Sequence, residues 1–279
     1  MRIIQTRIIT KIISELAVKA NIVLRPDVLR ALKLSLKNES KKISRNGLKA
    51  IMLNAKLARK NNMAICQDTG LPVVFVDVGD QVYIQGNIYE AIQQGIKEGY
   101  KKANLRESVI LDPLRRKVKY SFGPALINFK VAKGKRVSLT VLPKGFGSEN
   151  KSAVMMFKPT ADVEQIVTWI LDMVKLAGPD ACPPFVLGIG IGGTSDEAGR
   201  LAKHALLKPI NKRNKNRFLA NLENKILREV NNTGIGPFGL GGKTTALGVN
   251  IETAPTHIAG LPVAINISCH ALRSATAII

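Results

Sequence analysis

The first quarter of the chain repeats apolar residues at the spacing of an amphipathic helix. Isoleucines recur at three- to five-residue intervals from Ile3 to Ile13, and the pattern continues to Leu16. Pro26 opens a second leucine-bearing segment, and a third extends over residues 48–57. Because side chains three and four residues apart share one helix face, this spacing predicts a helical layer over residues 1–61.

From residue 73 the pattern takes the shorter period of β-strands. The runs VVFVDVG (73–79) and VYIQG (82–86) predict two strands, and residues 87–103 return to helical spacing. The next stretch, residues 124–145, alternates apolar and polar positions on both sides of Lys133, Gly134 and Lys135. Two such runs around a glycine are typical of a β-hairpin, which we expect here.

The second half of the chain mixes both periods. It predicts helices over residues 161–177 and 215–230, and a strand, turn and helix within CPPFVLGIGIGGTSDEAGRLAKHALL (182–207). Two glycine-punctuated strands follow, TTALGVNIETA (244–254) and LPVAINISC (261–269). With no internal repeat or long linker, the pattern predicts one mixed α/β (α+β) domain over residues 1–279, a helical layer (1–61) followed by a mixed-sheet part (62–279).

Composition narrows the class of protein. The 279 residues are 46% hydrophobic, which suffices for a sizeable core. No run approaches the roughly 18 apolar residues that span a bilayer, and the amino terminus alternates charged with apolar residues instead of forming a secretory signal. The 3 cysteines are an odd number and widely spaced, so they do not suggest a disulfide framework. These features favour a cytoplasmic protein.

The formal charge of +22 leaves three explanations open. Nucleic acid is one partner that a basic surface attracts, but the lysines and arginines form scattered short clusters and only 5% of the residues are aromatic. Small dianions or an acidic partner protein are a second explanation. The interpretation we favour is that most of these charges are solvated surface.

Two glycine-rich stretches resemble nucleotide-binding loops. Gly188, Gly190 and Gly193 satisfy G-x-G-x-x-G between a strand and a helix, but the acidic residue expected about 20 positions later is missing. A turn that admits a small anion, or close packing, explains these glycines as well. The stretch GPFGLGGKTT (236–245) misses the Walker spacing because Pro237 occupies a glycine position, so we interpret it as a glycine-rich pocket wall.

The cysteines are candidate metal ligands. Cys66, Cys182 and Cys269 each adjoin an apolar strand and a turn. A single cysteine is most often a small buried hydrophobe, and no C-x-x-C pair is present. Thiolates nevertheless suit zinc or iron–sulfur clusters. Three thiolates leave one iron of a four-iron cluster without a protein ligand, and such an iron is free to act on substrate as a Lewis acid.

Several long motifs resemble one enzyme family. The strings CQDTG, GSENKS, CPPFVLGIGIGGTSDEAG and NTGIGPFGLGGKTTALGVNIETAPTHIAGLPVAINISCHALR are similar to the alpha-type half of the class I, iron–sulfur-dependent fumarate hydratases and L-tartrate dehydratases. The resemblance extends from about residue 5 to the end. It implies that Cys66, Cys182 and Cys269 hold a 4Fe–4S cluster whose fourth iron binds substrate.

The same resemblance implies further site residues. Gln67, Asp68 and His257 would be catalytic or pocket residues, and Arg106 and Gly147 would bind substrate. The residue types suit this chemistry, because the planar arginine fork matches a carboxylate. Two alternatives stay open: Asp68 could cap a turn, and His257 could be structural.

The resemblance also implies a missing partner. Single-chain members have a carboxy-terminal domain that completes the site, whereas this sequence stops shortly after Cys269. We therefore expect a separate beta subunit, assembly as a heterotetramer, and reversible hydration of fumarate to (S)-malate, with L-tartrate dehydration as the alternative. Two other hypotheses are a nucleotide-dependent oxidoreductase and a nucleic-acid-binding module.

Overall fold

The computed structural model of the chain describes residues 1–117 and 120–279. The helices are α1 (Thr6–Ile22), α2 (Pro26–Asn38), α3 (Lys42–Asn61), α4 (Ile88–Lys102), α5 (Phe146–Glu149), α6 (Val163–Ala177), α7 (Ser195–Ala205) and α8 (Arg217–Asn232). The strands are β1 (Arg2–Gln5), β2 (Leu71–Gly79), β3 (Val82–Gln85), β4 (Val109–Ile110), β5 (Tyr120–Ser121), β6 (Leu126–Ala132), β7 (Val137–Lys144), β8 (Ala153–Phe157), β9 (Phe185–Gly193), β10 (Ala246–Thr256), β11 (Leu261–Ser268) and β12 (Ala275–Ile278). The predicted mixed α/β class is confirmed.

Internal contacts divide the chain into two compact units, each assembled from separate stretches. Unit 1 comprises Met1–Arg25, Asn54–Phe146 and Arg273–Ile279, and unit 2 comprises Pro26–Leu53 and Gly147–Leu272. The helices predicted over residues 1–61 are confirmed as α1, α2 and α3, with the short β1 before them. The single domain predicted over residues 1–279, with a helical part (1–61) and a mixed-sheet part (62–279), stays a prediction.

Unit 1 is built on a four-stranded sheet in the order β12-β7-β2-β6. Strand β2 pairs with β6 in parallel and with β7 antiparallel. The predicted hairpin over residues 124–145 is therefore wrong, because β2 lies between the two strands. The run Val73–Val76 is buried throughout, and such a run is favoured in a central strand, whereas β6 exposes Phe129 and Val131 at the sheet edge.

Helices α1 and α4 pack closely within unit 1. A Cβ at Gly95 would lie 2.6 Å from the carbonyl oxygen of Thr10, and one at Gly99 would lie 2.6 Å from that of Ser14. Glycine is required at both positions because any side chain would separate the helix backbones.

Unit 2 contains a second four-stranded sheet in the order β10-β9-β11-β8. The predicted strand, turn and helix of residues 182–207 are confirmed as β9 and α7. Alternate side chains of β9 face opposite sides of the sheet. Leu187 and Ile189 join the apolar cluster formed with α6 and α8, whereas Gly188 and Gly190 face α7. The sheet therefore lies between α7 and the α6–α8 pair.

Bilayer-spanning helices are not found in the described part of the chain. None of its helices combines the length and the apolar character that a membrane crossing requires.

Candidate active site

The CQDTG turn of unit 1 connects α3 to β2. Cys66 and Asp68 are partly exposed, and Gln67 is exposed. The Asp68 carboxylate accepts two backbone hydrogen bonds, from Gly70 N–H at 2.9 Å and from Phe146 N–H at 2.7 Å. These contacts match the turn-capping alternative. A catalytic role of Asp68 stays a prediction.

Glycine is required at position 70 to form this turn. Gly70 has φ +74°, and a Cβ there would lie 2.8 Å from backbone atoms of Pro143 and Lys144. Both the left-handed backbone and the close approach to β7 exclude a side chain. The turn can therefore point Gln67 outward at the start of a buried strand.

Thr69 links the turn to Arg106, a predicted substrate contact. The buried Thr69 hydroxyl donates to the Arg106 carbonyl oxygen at 2.9 Å, and the Arg106 side chain is exposed. Below it, Tyr100 O–H donates to the Thr69 carbonyl oxygen at 3.1 Å. Burial raises the pKa of Tyr100 to about 12, against a smaller lowering effect of Asn21. Tyr100 therefore remains a protonated donor. Because Thr69 joins the turn to Arg106, residues Gln67, Asp68 and Arg106 belong to one neighbourhood of unit 1.

Arg273 also supports this turn, and the sequence did not predict that role. Its side chain is 3% exposed, and Nη2 donates to the Asp68 carbonyl oxygen at 2.8 Å. Nη1 donates to Asn21 Oδ1 at 3.4 Å. The signal available in the sequence was a charged residue inside the apolar stretch that follows Cys269.

Cys182 and Cys269 lie near one another at one edge of the unit 2 sheet. Cys182 precedes β9 and Cys269 follows β11, and these antiparallel strands pair Val186 with Ser268. The residue after Cys269, His270, contacts the Cys182 carbonyl oxygen through its backbone nitrogen at 3.3 Å and through Nδ1 at 3.0 Å. The antiparallel register thus brings together two cysteines that are 87 residues apart in the sequence.

The backbone at Cys182 is in a strained region. Its φ of 54° and ψ of 67° are left-handed values that a cysteine rarely adopts. Phe238 also has φ 54°, donates its N–H to the Pro183 carbonyl oxygen at 2.9 Å and stacks edge-to-face on His270. Strained residues concentrate at functional sites, which makes this edge a candidate site on geometry alone.

The GSENKS segment lies beside the turn that precedes Cys182. Lys151 Nζ forms an ion pair with Asp180 Oδ2 at 2.9 Å. Gly147 is exposed, and the nearest atom to a Cβ built there is the Asp180 carbonyl oxygen, at 3.9 Å. Gly147, Cys182 and Cys269 therefore share one region of unit 2.

His257 lies at the other edge of the same sheet. It follows β10 and precedes β11, so the length of β11, about 26 Å at 3.3 Å per residue, separates it from Cys269. The side chain is exposed, and its Nδ1 accepts the Ala259 N–H at 3.2 Å. The structure does not bring His257 to the cysteines of unit 2, and its role stays a prediction.

The glycines of both nucleotide-like motifs have structural explanations. A Cβ at Gly188 or Gly190 would lie 2.0 or 2.1 Å from a carbonyl oxygen of α7, so these residues permit close packing. The second motif is followed by strand β10 and is held by the buried Glu39, which accepts Lys243 N–H at 2.7 Å. The packing alternative is therefore favoured for the first motif, and the second lacks the helix that a phosphate loop requires.

The thiols suit a soft metal or a cluster. None of the three cysteines forms a disulfide bond among the described residues; Cys66 belongs to unit 1, and Cys182 and Cys269 belong to unit 2. Within residues 1–117 and 120–279, no three histidine, cysteine, aspartate or glutamate side chains form a group that could hold a metal ion.

Comparison with known proteins identifies the class of enzyme. Residues 10–278 match the family model described as fumarate hydratase (Fumerase). A protein of Methanocaldococcus jannaschii named "Putative L(+)-tartrate dehydratase subunit alpha" is 42% identical over 273 residues, 96% of each chain. The L(+)-tartrate dehydratase subunit alpha of Escherichia coli is 30% identical over 226 residues, 80% of this chain and 75% of that protein.

These matches place the chain among the hydro-lyases, as the sequence motifs predicted. It belongs to the fumarate hydratase (Fumerase) family.

Proposed function

We propose that this chain is the alpha subunit of an iron–sulfur hydro-lyase that interconverts fumarate plus water with (S)-malate. The observation that carries the proposal is the family match over residues 10–278, which includes Cys66, Cys182 and Cys269. We assign the groups that this reaction needs to residues of the CQDTG turn and of the Cys182 edge.

A 4Fe–4S cluster is the cofactor that we propose for the three cysteines. No disulfide joins these thiols within the part of the chain that the structure describes, and Cys182 and Cys269 lie at one edge of the unit 2 sheet. Three thiolates leave one iron without a cysteine ligand. When bound, such a cluster supplies a Lewis acid for the hydroxyl that is added or removed. A cluster held by thiolates requires reduced cysteines, which supports the reducing cytoplasm as the compartment that we propose.

The chain's own residues would bind and orient the dicarboxylate. The Arg106 guanidinium is exposed beside the turn, where it can hold one carboxylate through two parallel hydrogen bonds. Gln67 is exposed on the same turn and would offer its amide to the substrate, and Asp68 keeps the turn in place through its two backbone contacts. Gly147 would donate its exposed backbone N–H to the substrate.

A beta subunit would complete the site. Two relatives are named "subunit alpha", which supports a partner chain and, by our proposal, a heterotetramer of two alpha and two beta chains. We assign the base that removes the C3 proton of malate to that partner. Hydration needs only water and this proton transfer, so no redox co-reactant is involved.

L-tartrate dehydration is the second candidate. The names of the two relatives favour it, whereas the family description favours fumarate. Tartrate carries a second hydroxyl, and a site built to hydrogen-bond that group discriminates strongly against a substrate without it.

Reconstitution distinguishes the two substrates. The chain is co-expressed with the beta subunit encoded by the same source, loaded anaerobically with iron and sulfide, and assayed on fumarate, (S)-malate and L-tartrate. We expect turnover of fumarate and malate. Turnover of tartrate alone would replace the first candidate by the second, and an iron-loaded complex inactive on all three would contradict both.

A further inference from the structure

We propose that Lys203 and Asn266 are positioning residues of the hydro-lyase site, which act through Glu149 to hold the segment that presents Gly147. The inference rests on the proposed function, because it takes Gly147 as a substrate contact. All four residues belong to unit 2.

Both carboxylate oxygens of Glu149 are held by other elements. Lys203 Nζ on α7 contacts Oε1 at 2.5 Å, and the side chains of the pair are 21% and 19% exposed. Asn266 Nδ2 on β11 donates to Oε2 at 3.0 Å. Glu149 is therefore held by a helix and by a strand, and we call its contacts with Lys203 and Asn266 the Glu149 clamp.

The Glu149 clamp is important because α5 is not stable by itself. The helix has 4 residues, and one turn is too short to be stable without tertiary contacts. Glu149 ends it only two residues after Gly147, about 3 Å along the helix axis. Gly147 is exposed and has no side chain to pack. The position of Gly147 within unit 2 therefore depends on the neighbours of Glu149 and on the Lys151–Asp180 pair.

A cavity next to the Glu149 clamp determines how the structure would respond to the loss of Lys203. Glu149, Lys203 and Asn266 line a cavity of about 280 Å³. Two buried oxygens there, Ser152 Oγ and Asn266 Oδ1, have no hydrogen-bond partner within the described residues. Without Lys203, the Glu149 carboxylate would have room to turn into this cavity toward water. The segment would then shift while the surrounding sheet stays folded.

The test compares substitutions in the enzyme reconstituted with its beta subunit. Lys203→Met and Asn266→Leu should each raise the KM for malate about tenfold, the size of one lost charge-assisted hydrogen bond. Lys203→Arg should restore most of the affinity, because it keeps the charge and a donor. The KM of the double variant Glu149→Gln/Lys203→Met should be no higher than the larger KM of the two single variants, since the effects of substitutions within one network are not additive.

Lys208→Met is the matched control. Lys208 also pairs with a glutamate of unit 2, Glu252, at 3.2 Å, and that glutamate lies on β10 and not on α5. The KM of this variant should equal that of wild type. Unfolding midpoints and iron and sulfide content are measured for every variant and should stay close to wild type.

Three results would overturn the inference. They are an unchanged KM in Lys203→Met, an equal rise in Lys208→Met, and a loss of activity that only follows lost iron. In each of these cases the wild-type complex is active, so the proposed function survives. A wild-type complex inactive on fumarate and tartrate would instead remove the proposed function together with this inference.

Discussion

At the scale of single residues, backbone geometry distinguishes the two cysteine-bearing turns. Gly70 lets the CQDTG turn take a left-handed conformation without strain, whereas Cys182 takes one with a side chain. The second case costs of order 1–3 kcal/mol and must be supported by its surroundings, here His270 and Phe238. This strain makes the Cys182 edge a candidate functional site.

Substitution of Gly70 should be more damaging than its backbone angle alone predicts. Gly70→Ala adds a Cβ 2.8 Å from the β7 backbone, so we expect a loss of roughly 3 kcal/mol of unfolding free energy from strain and overpacking together. Gly134→Ala is the control, because Gly134 also has positive φ but nothing within 4 Å of the added atom. Its loss should be about 1–2 kcal/mol in urea denaturation. Equal losses would show that the contact with β7 contributes nothing.

Glu252 should make unit 2 sensitive to acid. Burial raises the pKa of its carboxyl, but the hydrogen bond and charge of His204 and the charge of Lys208 outweigh that effect, and the pKa lies below its ordinary value of 4.5. A carboxyl with a lowered pKa in the folded state stabilises the protein above pH 4.5, and this stability is lost as the pH falls through the folded value. Unfolding midpoints of wild type and Glu252→Gln should therefore differ at pH 7 and converge in acid.

Glu15→Gln controls for the general effect of acid. Glu15 is exposed on α1, so its removal should leave the pH dependence of unfolding close to that of wild type. Curves of wild type and Glu252→Gln that stay parallel down to low pH would contradict a stabilising His204–Glu252 contact.

At the scale of elements, the contact between β9 and α7 explains a motif that resembles a nucleotide site. Two glycines of the strand lie against helix carbonyl oxygens, at distances that allow no side chain. The same helix carries Lys203, which reaches Glu149. Close approach of α7 to the sheet therefore serves packing directly and, by our inference, the position of Gly147 indirectly.

Gly190→Ala should separate α7 from β9. The added Cβ would lie 2.1 Å from the Ala198 carbonyl oxygen, and we expect a loss of roughly 3 kcal/mol in chemical denaturation. Gly199→Ala on the helix itself meets only Val154 at 4.0 Å and should instead gain up to about 1 kcal/mol. Tolerance of Gly190→Ala together with measurable nucleotide binding would revive the dinucleotide hypothesis.

At the scale of the whole molecule, charge and cofactor define its expected behaviour. The net charge of +22 suits the dianionic substrate that the proposed enzyme requires, and it would also attract an acidic partner subunit. In the proposed cluster, three cysteine ligands for four irons would leave one iron exposed. The proposed function therefore predicts a chain that is incomplete alone and sensitive to air.

Air should inactivate the assembled enzyme through loss of that iron. We expect activity to fall during aerobic incubation, and to return on anaerobic treatment with ferrous iron and a thiol reductant, because the three cysteine-held irons remain. Activity and iron content are followed together. Full activity after long aerobic handling without added iron would contradict a substrate-binding iron, and Cys182→Ser should lack both cluster and activity.

Hydrophobic periodicity predicted most elements correctly because it depends on local spacing. The helices of residues 1–61, the strand and helix of residues 182–207, and the strands around residues 250 and 265 are all confirmed. Strand pairing was the failure: the run around Lys133 to Lys135 was predicted as a hairpin, yet β2 lies between β6 and β7. Local spacing carries no information about whether a strand from about 50 residues earlier in the sequence, here β2, lies between the two runs.

For this protein, the sequence by itself determined the family, the three candidate ligands and the class of chemistry, because these depend on residue identity at matched positions. Only the tertiary structure decided which other side chains hold the candidate site residues in place. Thr69, Arg273, Lys203 and Asn266 act through hydrogen bonds to residues far away in the chain. Such contacts form when sheets and helices pack, and no local pattern of apolar and polar residues encodes them.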